Sequence, residues 1–308
     1  MSADQQPMPG SDEWSRWLLQ VRSGGDPDFD RYLRGEVLAY ADRVIDQAGL
    51  QPGMALADIG TGDGLVALRA IERLGPSLRV IMADISAPLL QQARAQALKR
   101  GVLDQCSFVE CAADRLAGIG DQNVDVVATR AVLAYVADKQ AALREFFRVL
   151  KPGGRISLVE PIFQDDAFAA RALRDALLAK GAGTTDSVLP LLHRWKAAQF
   201  PDTQEKIDAS PIANFSERNL FNLILAAGFM QVHLELHMDL VSSRIPTWQA
   251  FVESSPHPWA PPLSRIMAES FTPEERRTLE NFVRPLVESG KGVVIVRNVY
   301  AVAVKPPA

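Results

Sequence analysis

A chain of 308 residues with 47% apolar and 23% charged side chains has the material for a sizeable core, which excludes disordered and fibrous classes. Its 33 Lys and Arg against 37 Asp and Glu give a formal net charge of -4 without basic clusters, so no nucleic-acid partner is expected. No apolar stretch approaches the roughly 18 residues of a membrane span, and the opening MSADQQPMPGSDEW carries acids where a signal peptide has an apolar run, so a cytoplasmic location with no membrane partner is expected.

The first ten residues, polar with Pro7 and Pro9, read as a disordered leader. Apolar spacing then predicts helices over about 12–21 and 29–47, the second with Phe29, Leu33, Val37, Ala41, Val44 and Ile45 on one stripe. From residue 54 short apolar runs alternate with helical segments, the pattern of a parallel sheet covered on both faces. Strands are expected at 54–59, 79–84, 107–111, 124–129 and 155–160, with helices at about 64–74, 87–100 and 138–150, the last closed by LKPGG. Cys106 and Cys111 are five apart in what reads as one extended run and fall on opposite faces, so buried, reduced thiols are expected rather than a disulfide.

Further along, Ser216 reads as an N-cap with Asn219 at the third helical position, and Gly228 ends that helix before a strand at 231–239. A last strand at 293–304 completes seven, and pattern alone does not set its direction. Two segments break the repeat, 161–215 and 240–291, each with helices of its own bounded by Gly and Pro. The expected organisation is a helical N-terminal lid segment at 1–50 and an α/β domain at 51–308, whose insertions form a substrate cap. A homodimer is one option for its assembly.

The informative stretch is MALADIGTGDG, residues 54–64, where a strand runs into Gly60, Gly62 and Gly64 and a helix follows at once. A side-chain-free backbone and a helix N-terminus then face whatever lies over the strand ends. The spacing is not G-x-G-x-x-G, because Leu65 stands where the third glycine of a dinucleotide turn belongs, and no Lys-Ser or Lys-Thr of a P-loop follows. Asp58 lies inside the strand, where a carboxylate needs hydrogen bonds or a cationic partner, including a cationic ligand group. Asp84 ends the next strand and can accept from two ribose hydroxyls. Ala113 and Asp114 follow the third strand, where an adenine amino group could be held.

These residues resemble the class I S-adenosylmethionine-dependent methyltransferases over about 54–160, which implies a Rossmann-like, seven-stranded, mostly parallel sheet with helices on both faces. The resemblance implies S-adenosyl-L-methionine as cofactor, with Asp58, Gly60, Thr61 and Gly62 lining its methionine part and Asp84 on the ribose hydroxyls. Ile85 would lie against the adenine, and Ala113 with Asp114 would meet its edge. Residues 129–136, TRAVLAYV, look like the family's fourth motif, in which Arg130 approaches the cofactor carboxylate or its flanking loop. The Asp-Pro-Pro-Tyr or Asn-Pro-Pro-Tyr motif of many nucleobase methyltransferases is missing, which turns the expectation toward a small-molecule acceptor methylated at oxygen, nitrogen or carbon.

Methyl transfer from a sulfonium is an in-line displacement that alignment in a dry cavity largely accelerates, and a base is needed only for a protonated acceptor. His193 is the candidate base, without a visible orienting carboxylate, and Glu160 is the alternative. Trp195, Phe200, Trp248 and Trp259 either line an apolar cavity or form a small core. Two other readings stand beside this one: an S-adenosylmethionine-binding protein that catalyses a rearrangement or cyclisation without methyl transfer, and a protein methyltransferase.

Overall fold

Residues 12–180 and 187–308 are described by a computed structural model; the expected leader lies outside them. In chain order the elements are α1 (Glu13–Arg16), continued by a π-helical turn (Trp17–Val21), α2 (Pro27–Ala48), β1 (Ala55–Ile59), α3 (Leu65–Leu74), β2 (Arg79–Asp84), α4 (Ala87–Lys99), β3 (Cys106–Glu110), β4 (Val124–Arg130), α5 (Lys139–Val149) and β5 (Leu150–Pro161). There follow α6 (Gln164–Lys180), α7 (Leu189–Gln199), α8 (Gln204–Ala209), α9 (Glu217–Ala226), β6 (Met230–Ser242), α10 (Trp248–Glu253), α11 (Leu263–Ser270), α12 (Pro273–Glu288) and β7 (Val293–Val304). The short α8, α10 and α11 have no counterpart in the sequence reading, because six to eight residues hold too few turns for an apolar period to show.

The seven strands form one sheet in the order β3-β2-β1-β4-β5-β7-β6. Pairing is parallel from β3 across to β5 and antiparallel between β5 and β7, which gives the last strand the direction its pattern did not. The central strands are continuous buried runs, such as Leu56 to Ile59, as a sheet covered on both faces requires. Local chemistry sets the helix starts. Ser86 and Asp138 accept from the backbone N–H groups of Leu89 and Ala141 at 3.2 and 2.8 Å, and Ser216 with Asn219 forms the reciprocal capping box. Cys106 and Cys111 are free but half-buried rather than buried. Cys106 opens β3 and Cys111 follows it, and β3 lies at the sheet edge, where one flank has no neighbouring strand among the described residues.

Two compact units divide the chain. The first comprises Glu36–Ile162, Phe215–Met238 and Arg297–Ala308, and its core joins Ala41, Val44 and Ile45 of α2 to Leu56, Val66, Leu68, Val80 and Met82. The second comprises the described parts of Met1–Gly35, Phe163–Asn214 and Asp239–Val296. Its helical core is built on Leu191, Val252, Leu263, Ile266, Leu279 and Val283. Trp195 and Trp248 pack on Phe251 at 5.7 and 5.6 Å between ring centroids, and Trp259 meets Trp14 edge-on at 5.8 Å. Trp195 and Trp248 thus flank the unit's own core.

Candidate active site

The strand order reverses between β1 and β4, because the chain builds outward from β1 to β3 on one side and from β4 to β5 on the other. Open α/β sheets bind ligands at the carboxyl ends of their strands at such a switch point. Gly60, Thr61 and Gly62 leave β1 there. The N–H groups of Gly60 and Thr61 both donate to the Ala83 carbonyl, at 2.7 and 3.0 Å, which bends the backbone sharply toward the end of β2. Gly60 has φ +66°, and a Cβ on it would lie 2.3 Å from Cγ2 of Val132, so only glycine lets the turn after β4 come this close.

The acids of the site divide by what they hold. Asp58 is 1% exposed, and its Oδ2 accepts from the Thr61 hydroxyl at 2.7 Å and the Ala67 N–H at 3.0 Å, linking β1, the glycine turn and α3. Burial pushes its carboxyl up to about 6 despite those donors and the Arg130 charge nearby. Asp84, also buried, accepts from the Gly62 N–H at 2.8 Å through Oδ2 and from the Ser86 N–H at 2.9 Å through Oδ1. Those two bonds, one on each oxygen, fix the orientation of the carboxylate. Beside it Ile85 leaves 57% of its surface exposed, a large apolar side chain next to polar backbone. Ala113 and Asp114 are half-buried just past β3, whose end is tied to β2 by the Cys111 N–H donating to the Asp84 carbonyl at 3.0 Å. Arg130 ends β4 and makes no ion pair among the described residues.

Glu160 is the alternative base of the sequence reading, and the structure gives it another task. It is 0% exposed; Oε1 accepts from the Thr129 hydroxyl at 2.9 Å, and Oε2 accepts from the N–H groups of Val132 and Ala134 at 2.9 and 3.1 Å. Enclosed by donors, it anchors the turn that follows β4, although burial still holds its carboxyl above the usual range. That turn carries Ala131 at φ +57°, a left-handed backbone that costs a non-glycine residue about 1 kcal/mol or more. Neither this strain nor the 7% exposure of Lys139 has a sequence signal. Burial pushes the Lys139 ammonium down to about 8, against the opposing charge of Glu160, and Nζ donates to the Val136 carbonyl at 2.8 Å.

His193 lies on α7 in the helical unit and has the carboxylate that the sequence did not reveal. Its Nε2 is 3.0 Å from Oδ2 of Asp202, whose Oδ1 accepts from Lys206 Nζ at 2.8 Å. Burial raises the Asp202 carboxyl, but the hydrogen bonds from Lys206 and His193 outweigh it and hold the group below its ordinary range. Asp202 is nine residues beyond His193, past the end of α7 and before α8, so no helical spacing links the pair.

Residues 50–207, 158 of the chain's 308, match the family model of the methyltransferase domain. Among curated proteins, the ubiquinone/menaquinone biosynthesis C-methyltransferase UbiE of Hahella chejuensis is 40% identical over 117 residues, 38% of this chain and 47% of that protein. The tRNA 5-carboxymethoxyuridine methyltransferase of Escherichia coli K12 is 36% identical over 118 residues, 38% of this chain and 44% of that one. The chain therefore spans about half the length of the curated relatives it matches. Among solved structures, the YcgJ protein of Bacillus subtilis superimposes with a TM-score of 0.55 at 18% identity, covering 88% of this chain and 99% of that one, which shows a shared fold. With over half of its length matched by that model, around a Rossmann-like sheet, the chain belongs to the methyltransferase domain family.

Proposed function

We propose that this protein transfers the methyl group of S-adenosylmethionine to a small-molecule acceptor. The observation that carries the reading is the glycine turn at the β1/β4 switch point, gripped by Asp84 and pressed so close to Val132 that a Cβ at residue 60 has no room. That cradle fits a ligand approaching main-chain atoms, and Arg130, without an ion pair among the described residues, fits a carboxylate-bearing one. In this reading Asp58, Gly60, Thr61 and Gly62 form the wall beside the methionine moiety, and Asp84 accepts from the ribose hydroxyls. Ile85, Ala113 and Asp114 meet the adenine, and Arg130 faces the carboxylate. The bound cofactor supplies an electrophilic methyl on a positively charged sulfur. The chain's own part is to align the acceptor, exclude water and, for a protonated acceptor, take up its proton on His193 as Asp202 orients the ring.

Acceptor choice is assigned to the insertions 161–215 and 240–291. The two free thiols fit a reducing, cytoplasmic setting. Among the described residues no helix is long and apolar enough to cross a membrane. The tRNA-modifying relative favours one second reading, an RNA acceptor, against which stands the net charge of -4.

Calorimetry with S-adenosylmethionine and its demethylated product is expected to show binding at about micromolar levels, and saturation at 100 Kd should add about 2.7 kcal/mol of stability. No heat from either ligand overturns the cofactor assignment. Tritiated methyl donor incubated with host extract should label a small-molecule fraction. Label in RNA instead establishes the second reading, and label in a protein band establishes a protein methyltransferase.

A further inference from the structure

Strand β6 closes the sheet beside β7 and has no second neighbour among the described residues. Proteins normally blunt such an edge with charged side chains, especially Lys, with Pro, with bulges or with extreme shortness. Met230–Ser242 is 13 residues long with neither Lys nor Pro, and its charges Glu235 and Asp239 lie on one face. From Val232 to Leu240 apolar and polar side chains alternate. One face presents Val232, Leu234, Leu236, Met238 and Leu240, with Leu236, Met238 and Leu240 exposed by 40%, 55% and 68%. The other presents His233, Glu235, His237 and Asp239. On that face Glu235 accepts from Arg43 and Gln47 of α2, and its two oxygens lie 3.2 and 3.1 Å from Nε2 of His233 and His237. The His237 ring stands edge-on to Tyr300 of β7 at 5.0 Å. The α2 and β7 side chains named here thus hold the charged row in place.

We infer that β6 is the edge at which two copies of this chain pair, antiparallel, about a two-fold axis at Leu236. Leu236 is the midpoint of the strand, so this register is the one that pairs its full length. The alternating charge row is complementary to itself in that register. Glu235 falls opposite His237 of the second copy, and His233 falls opposite its Asp239, each pair occurring twice. On the other face Leu236 meets its own counterpart, Leu234 meets Met238, and Val232 meets Leu240, so apolar meets apolar from 232 to 240. A register centred one residue away, at Glu235, would set glutamate against glutamate, which like-charge opposition across strands disfavours. A two-fold interface needs a self-complementary patch, and this strand meets that condition through its sequence pattern.

The test is the solution mass of the full chain by sedimentation velocity from about 1 to 100 μM, spanning the range of weak to moderate dimers. The expected result is a species at twice the 33.7 kDa chain mass. Leu236→Lys, which sets two ammonium groups face to face, should raise the dimer Kd by about tenfold or more while the circular dichroism spectrum stays that of the parent. Leu236→Cys should form an inter-chain disulfide under mild oxidation, because directly opposed residues on antiparallel strands lie about 4.5–5.5 Å apart between Cα atoms, within disulfide reach. Leu234→Cys, offset from its own counterpart by four residues in this register, should not, and the parent with Cys106 and Cys111 is the control. A monomer at every concentration overturns the inference, as does a dimer indifferent to Leu236→Lys. Cross-linking through residue 234 in place of 236 overturns the register.

Discussion

The sheet unit and the helical unit hold their carboxylates by different means. In the sheet unit, Asp58, Asp84 and Glu160 are satisfied largely by backbone N–H groups of the turns at the strand ends, at 2.8 to 3.1 Å. A carboxylate bonded to main chain fixes the course of that main chain, so these acids shape loops as much as they present charge. In the helical unit the carboxylates named here meet side chains, His193 and Lys206 at Asp202 and Arg194 at Glu275 at 2.6 Å, while the buried Gln199, Ser255 and His257 bond to main-chain carbonyls. The unit's stability rests on its aliphatic and aromatic core, and links of this kind can change without redirecting the backbone. The lesson is that the same residue type anchors main chain in one unit and joins side chains in the other.

The strongest test of the contrast is Gly60→Val. It places a branched side chain on Val132 at a left-handed φ, and it should cost about 3–5 kcal/mol in urea unfolding and abolish cofactor binding in calorimetry. Next comes the anchoring acid. Glu160→Leu strands the N–H groups of Val132 and Ala134 and should cost about 4 kcal/mol, whereas Glu160→Gln can keep its carbonyl on them, turn its amide toward Thr129, and cost about 1 kcal/mol or less. Turnover preserved in Glu160→Gln marks an anchor, and turnover lost with folding intact would make Glu160 a base after all.

Asp58 sharpens the comparison through pH. Its folded pKa of about 6 lies above the ordinary 3.8, so the folded state holds the proton more tightly than the unfolded chain. Its contribution is therefore fully present below the ordinary 3.8 and is lost as pH rises through about 6, a decline of about 2 kcal/mol relative to Asp58→Asn in unfolding curves from pH 4 to 7. Asp84→Ala should weaken cofactor binding by about ten- to hundredfold, about 1.5–3 kcal/mol, by removing charge-assisted acceptors and freeing Gly62. The smallest effect on folding is expected in the helical unit, where His193→Ala should change stability by about 1 kcal/mol or less. The same variant should lower turnover with little change in cofactor affinity, and Asp202→Asn, which removes the carboxylate beside the ring, should lower turnover as well.

Much of the sheet unit was legible in the chain because its determinants are local. Apolar runs of five or six residues, the Gly60 to Gly64 spacing and the Ser216 capping box each act within a few residues, and β2 and β7 have the expected bounds of 79–84 and 293–304. The carboxyl-end position of Asp58, Asp84 and Arg130 follows from strand order in the same way. Partnerships made across the fold were not legible. Nothing in the sequence near Glu160 says that it closes the turn at 131–134, since that depends on β4 and β5 pairing side by side. Asp202 lies only nine residues from His193, yet a helix end and a bend separate them, and only the folded path brings oxygen to nitrogen. The direction of β7 is a property of its neighbour β5 rather than of its own alternation. The sequence by itself determined where strands, turns and caps fall, because those depend on spacing along the chain; tertiary structure decided which acid anchors a turn and which histidine gains a partner, because burial and distance exist only once the strands and helices have packed.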